Sequence, residues 1–274
     1  MHLEVITRKP EGAARPTPLL FIHGAFSTAH IWKPFFLPFF ADHGYEAHAI
    51  SLRGHGGSEG KDRLSLTRLR DYVNDVAQVA GELRAPPVLI GTSMGGIIAQ
   101  KYMHEFPVPA VVLLASGPPH GMLPSIMRMA LGNPQLVRDM FMMQYVGPDT
   151  ATVAGARRAL FREDTPDEYI RKYLPKAEHE SPWVMTDMVG LDLPPSRRPA
   201  ELPVLVLGGE CDAFIAPTAV EATASTYATK AEIFPGMPHA MMLDRDWETV
   251  ARRILKWLDE TLPAQEASGV GANQ

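Results

Sequence analysis

The chain has 274 residues, of which 46% are hydrophobic and 21% charged, and a formal net charge of −5. This suits a globular protein with a sizeable core in one or two domains. Acidic and basic residues are interspersed without a basic stripe, which argues against nucleic-acid binding, and no apolar run is long enough to cross a bilayer, which argues against membrane insertion.

The N-terminus carries an acid at Glu4 and no apolar signal core, so a cytoplasmic location is expected. Leu3 to Thr7 alternates and predicts an edge strand, and Leu19 to Ile22 predicts a short buried one. Trp32 to Phe40 reads as helical, with Pro34 and Pro38 limiting where regular turns can lie. Tyr45 to Leu52 is a strand. Leu66, Leu69, Val73, Val76, Ala77 and Ala80 fall at helical spacing. Val88 to Ile90 is a strand followed by a sharp turn and a helix, and Val111 to Leu114 is another strand.

From Pro118 to Pro199 the strand pattern stops and short helical runs replace it. Thr165-Pro166-Asp167-Glu168 reads as a helix start with Thr165 as cap, and Ser181-Pro182 as another. Strands resume at Val204 to Leu207 and Ala231 to Phe234, each followed by a helix, Pro217 to Tyr227 and Trp247 to Leu262. The lone cysteine, Cys211, excludes an internal disulfide and is expected to pack as a small core hydrophobe. Strands alternating with helices predict an α/β fold, a mostly parallel sheet with helices on both faces. The expected organisation is a core of residues 1–117 and 200–262, a helical insertion at 118–199 and a disordered tail at 263–274.

Chemistry concentrates in Gly91-Thr92-Ser93-Met94-Gly95, a Gly-x-Ser-x-Gly run between a buried strand and a helix. Such a turn lifts Ser93 to its tip. A serine hydroxyl needs a base, and the base needs a carboxylate to fix its tautomer. Asp212 and His239 both follow strands, where such groups belong, in the chain order Ser, Asp, His. Glu210 is the rival acid, two residues earlier. Backbone N–H groups of Ala25, in His23-Gly24-Ala25, and of Met94 are the expected donors to an oxyanion. No metal-ligand spacing and no Gly-x-Gly-x-x-Gly are present, so neither a metal nor a nucleotide cofactor is expected. Eight methionines, Met122, Met127, Met129, Met140, Met142, Met143, Met185 and Met188, fall in the insertion. They fit either an adaptable apolar pocket or packing against the core.

Five segments in order carry a resemblance: Phe21-Ile22-His23-Gly24-Ala25, Ser51-Leu52-Arg53-Gly54-His55-Gly56-Gly57-Ser58, Gly91 to Gly96, Gly208-Gly209-Glu210-Cys211-Asp212, and Pro235 to Asp244. With them the chain resembles α/β-hydrolase fold enzymes, nearest to the lysophospholipase-like and monoglyceride-lipase-like group. The resemblance implies about eight strands, the insertion as a cap over the site, and hydrolysis of a small-molecule ester with an apolar acyl part. Thioester hydrolysis, carbon–carbon bond hydrolysis, perhydrolysis and a low-turnover ligand receptor stay open beside it. Two positions depart from the pattern: Ser51 stands where many relatives have Asp, and Pro238 stands before His239 where Gly is common.

Overall fold

The computed structural model describes residues 1–197, 199 and 201–262. The tail expected after Pro263 lies outside the described residues. Seven strands form one sheet among them: β1 (Val5–Arg8), β2 (Leu19–Ile22), β3 (Ala47–Ile50), β4 (Val88–Thr92), β5 (Val111–Leu114), β6 (Val204–Gly209) and β7 (Ala231–Phe234). The order is β1-β3-β2-β4-β5-β6-β7, with β1 antiparallel to β3 and every other neighbouring pair parallel. Seven strands replace the eight or so implied by the resemblance. Before β2 only Val5–Arg8 is extended, and the stretch after it, with Pro10, Gly12, Pro16 and Pro18, is poor in ladder-forming residues.

The helices are placed by the periodicities already visible in the chain. α1 (Phe36–Asp42), α2 (Leu69–Glu82) and α3 (Met94–Tyr102) cross between the first strands. Pro38 falls in the first turn of α1, where its missing N–H costs no helical bond. Inward residues of the strands alternate between two cores. Leu19, Phe21, Val88, Ile90, Val112, Leu114, Leu205 and Leu207 face one. Leu20, Ile22, Leu89, Val111, Leu113, Val204 and Val206 face the other. Both faces are covered, so each central strand reads as a continuous apolar run. Every fully buried Leu, Ile or Phe contributes roughly 1.5–3 kcal/mol.

Between β5 and β6 the chain forms α4 (Leu123–Gly132), α5 (Pro134–Tyr145), α6 (Val153–Leu160), α7 (Asp167–Tyr173) and α8 (Pro182–Thr186), with no strand among the described residues. Ser181 caps α8 by accepting the Val184 N–H at 3.4 Å. The cap expected at Thr165 is not formed: α7 begins at Asp167 with Pro166 as the capping position. Thr165 is held in the preceding turn instead, its N–H on Arg162 O at 3.1 Å and its carbonyl taken by Arg157 Nε at 3.0 Å. After β6 and β7 come α9 (Pro217–Thr226) and α10 (Trp247–Thr261). No helix among the described residues is long and apolar enough to cross a membrane.

Candidate active site

Ser93 sits between β4 and α3 with φ 53° and ψ −119°, in the left-handed half of the map that non-glycine residues avoid. Its neighbours explain how the strain persists. The Ser93 N–H bonds Leu114 O at 3.2 Å, and its carbonyl accepts from Gly96 and Gly117 at 3.0 and 3.1 Å. The two motif glycines are required for space. A Cβ on Gly91 would lie 2.3 Å from Gly95 O, and one on Gly95 would lie 2.3 Å from Ile22 O. Both clashes are with backbone, which cannot swing aside. Gly95→Ala is therefore expected to destabilise the fold by about 3 kcal/mol or more. Chemical denaturation would show it as a lower midpoint with an unchanged slope, and an unshifted midpoint would refute it.

Asp212 follows β6 and is buried. Its Oδ1 accepts the Phe214 and Ile215 N–H groups, both at 2.8 Å. Its Oδ2 accepts from Nδ1 of His239 at 2.7 Å. These three bonds engage both carboxylate oxygens and leave the far nitrogen of the imidazole without a partner among them. Phe214 packs edge-on against the His239 ring, with centroids 4.8 Å apart. Pro238 does not prevent this approach. Glu210 does not approach the imidazole: it is exposed and accepts the Gly236 N–H at 2.8 Å, bracing the turn after β7. Cys211 is exposed as well, contrary to the core position expected. The strand ends at Gly209, and the Cys211 N–H bonds Met237 O at 3.0 Å in the loop beyond it.

Ser93 and His239 line one cavity of about 470 Å³ together with Gly24, Ala25 and Met94. Among the described residues no hydrogen bond joins the serine hydroxyl to the imidazole. Gly24 lies against the serine, since a Cβ there would be 3.0 Å from Ser93 Cβ. Among the described residues neither the Ala25 nor the Met94 N–H has an acceptor. Both residues border the cavity beside the strained serine. Met122, Met129, Met140, Met143, Met185 and Met188 line the rest of the cavity, whereas Met127 is exposed. The methionine-rich pattern thus serves the cavity wall at six of eight positions.

His23 is buried and neutral. Burial and the neighbouring His55 push it down to about 3. Its Nε2 accepts the Leu52 N–H at 3.1 Å, so the proton sits on Nδ1 and is donated to Gly24 O at 2.8 Å. Ser51 donates to Glu4 Oε2 at 2.6 Å and accepts the Ala29 N–H at 3.0 Å. Glu4 therefore brings a carboxylate to Ser51 from β1's side. No local pattern marks this pairing, because the two residues are 47 positions apart. Asp244, close to His239 in the chain, accepts the Asp246 N–H at 3.0 Å at the start of α10 and holds Arg162 of the insertion through two bonds at 2.9 and 2.8 Å.

A model of the alpha/beta hydrolase family matches residues 19–253. Protein ABHD8 of Bos taurus is 32% identical over 119 residues, 42% of this chain but only 27% of that protein's length. Among solved structures, BpoC from Mycobacterium tuberculosis H37Rv superposes with a TM-score of 0.76 at 20% identity, covering 96% of this chain and 97% of that one. A thermophilic esterase from Thermogutta terrifontis gives 0.73 at 21% identity, covering 94% of each. At such identities the likeness speaks for the fold alone. The sheet order, the strained Ser93 turn and the extent of the family match agree: the chain belongs to the alpha/beta hydrolase family.

Proposed function

We propose that this protein is a serine hydrolase that cleaves carboxylic esters with an apolar acyl part through an acyl-enzyme. The observation that carries the reading is a single apolar cavity lined by a strained serine and by an imidazole bonded at 2.7 Å to a buried aspartate. Ser93 attacks the carbonyl carbon as His239 takes its proton. The alkoxide that forms on the carbonyl oxygen is held by the N–H groups of Ala25 and Met94, each worth about 3 kcal/mol in such a site. Collapse of the tetrahedral species expels the alcohol, which takes the proton back from His239. Water then attacks the acyl-enzyme with His239 as base, and Ser93 is released. Asp212 fixes the imidazole tautomer and balances its charge. The helices of residues 118–199 are read as a cap that supplies the methionine wall for the acyl group.

The same first step serves thioesters, diketones and peracid formation, because the nucleophile and base are shared. A fluorophosphonate probe is expected to label the protein once, at Ser93. A panel of p-nitrophenyl esters from acetate to laurate, with matching acyl thioesters and a diketone, is expected to favour esters with chains longer than acetate. Absence of labelling together with absence of turnover across the panel would refute a serine hydrolase. Preference for thioester or diketone would keep the nucleophile and replace the substrate class.

A further inference from the structure

The insertion returns to the core through a segment, Leu174 to Ser181, that the chemistry above does not use. Leu174, Pro175 and Ala177 face the cavity. The residues that follow touch the loop carrying Ala25. The Glu178 N–H donates to Phe26 O at 3.0 Å, and Glu178 Oε2 accepts the Gly56 N–H at 3.0 Å. Phe26 has φ 60°, so this loop holds a second left-handed non-glycine residue beside the site.

Glu180 is buried. Its Oε1 accepts the Tyr72 hydroxyl at 2.6 Å and the Ser181 N–H at 2.7 Å. Its Oε2 lies 3.4 Å from Nε2 of His55, and both side chains are wholly out of solvent. Burial alone would lower the His55 imidazolium, but the Glu180 carboxylate outweighs it and holds the ring above its ordinary value. Burial would likewise raise the Glu180 carboxyl, and His55, Tyr72 and the Ser181 N–H keep it below its ordinary range. The His55 Nδ1–H donates to Arg53 O at 3.0 Å, and its ring sits 5.2 Å from that of His23.

His23 in turn holds Gly24 O. That carbonyl and the Ala25 N–H belong to one planar peptide, so fixing the oxygen fixes the direction of the donor.

We propose that Glu178 and Glu180 are positioning residues for the oxyanion donor: the return segment of the helical insertion orients the Ala25 N–H through Phe26 on one side and through His55 and His23 on the other. This rests on the serine-hydrolase reading for its consequence in turnover. It makes the insertion part of the site's preorganisation as well as the wall of its cavity. It also locates any movement of the cap away from residues 178–181. A donor used only when the carbonyl becomes an oxyanion affects kcat and leaves KM largely alone.

The test compares the wild type with Glu180→Ala, Glu180→Gln and Glu178→Ala. Turnover of p-nitrophenyl butyrate is counted per fluorophosphonate-titrated site, well below each variant's unfolding temperature. Amide exchange at Leu52, whose N–H is held by His23, is measured by NMR and needs no turnover. Glu180→Ala is expected to lower kcat about tenfold with KM within twofold, and to speed Leu52 exchange at least tenfold. Glu178→Ala keeps the backbone N–H on Phe26 O and loses only the acceptor for the Gly56 N–H, so it is expected to lower kcat by less than threefold. Glu180→Gln keeps the acceptor for Tyr72 and Ser181, so it is expected to fold and to fall between the wild type and Glu180→Ala. If Glu180→Ala does not fold, Glu180→Gln decides, with at least a threefold change required in both readouts. An unchanged kcat per site, or unchanged Leu52 exchange, overturns the proposal. If the wild type turns over no ester, the function reading fails by itself, and the exchange measurement alone decides whether Glu180 holds the His23 ring.

Discussion

Replacing Ser93 by alanine is expected to lower the turnover of a short p-nitrophenyl ester by about 10⁵-fold while leaving the fold intact. The backbone at position 93 is held at φ 53° by bonds to Leu114, Gly96 and Gly117, none of which involves the hydroxyl. Alanine meets the same strain as serine there, so the variant should unfold within a few degrees of the wild type. What it loses is the oxygen that forms the acyl bond. Residual hydrolysis should come from the Ala25 and Met94 donors acting on a bound ester with water as nucleophile. Steady-state rates on the purified variant, with fluorophosphonate labelling as a second readout, decide the matter. Turnover near the wild-type level would remove Ser93 from the mechanism.

The second large effect is expected at Asp212→Asn, at about 10⁴-fold in kcat. The size follows from the hydrogen-bond inventory. An asparagine keeps one oxygen, and the Phe214 and Ile215 N–H groups at 2.8 Å claim it. Its amide nitrogen then faces Nδ1 of His239, where the carboxylate oxygen stood at 2.7 Å. A donor in that place makes Nδ1 an acceptor and moves the ring proton to the nitrogen that should receive the serine's proton. The base is lost without moving an atom far. Glu210→Gln is the matched control, since Glu210 braces Gly236 on the surface, and it is expected to stay within threefold of the wild type. A large loss at Glu210 with a small one at Asp212 would reverse the assignment of the acid.

The elements that position the site were legible because each is written locally. The apolar runs Leu19–Ile22, Val88–Ile90, Val111–Leu114 and Val204–Leu207 lie in strands of the sheet, and Gly91 to Gly95 falls at the strand-to-helix turn. Their signals are side-chain period and the absence of a Cβ, which act within a few residues. α7 starts one residue later than the local pattern suggests, and Arg157, on another helix, takes the Thr165 carbonyl. Cys211 lies exposed because the chain has already left the sheet after Gly209, so the buried strand before it gives it no core neighbours.

By itself the sequence determined the α/β class, the strands, the serine turn and the helical character of residues 118–199. It favoured Asp212 over Glu210 as the acid because Asp212 lies further into the loop, although period alone puts both on one side of a strand. Only the tertiary structure brought Asp212 to His239, 27 residues away, and set Glu210 on a different turn. Only it paired Ser51 with Glu4 and His55 with Glu180. These are contacts between buried polar groups far apart in the chain. Each partner alone looks like an ordinary surface residue, and its burial is tolerated only because folding delivers the other.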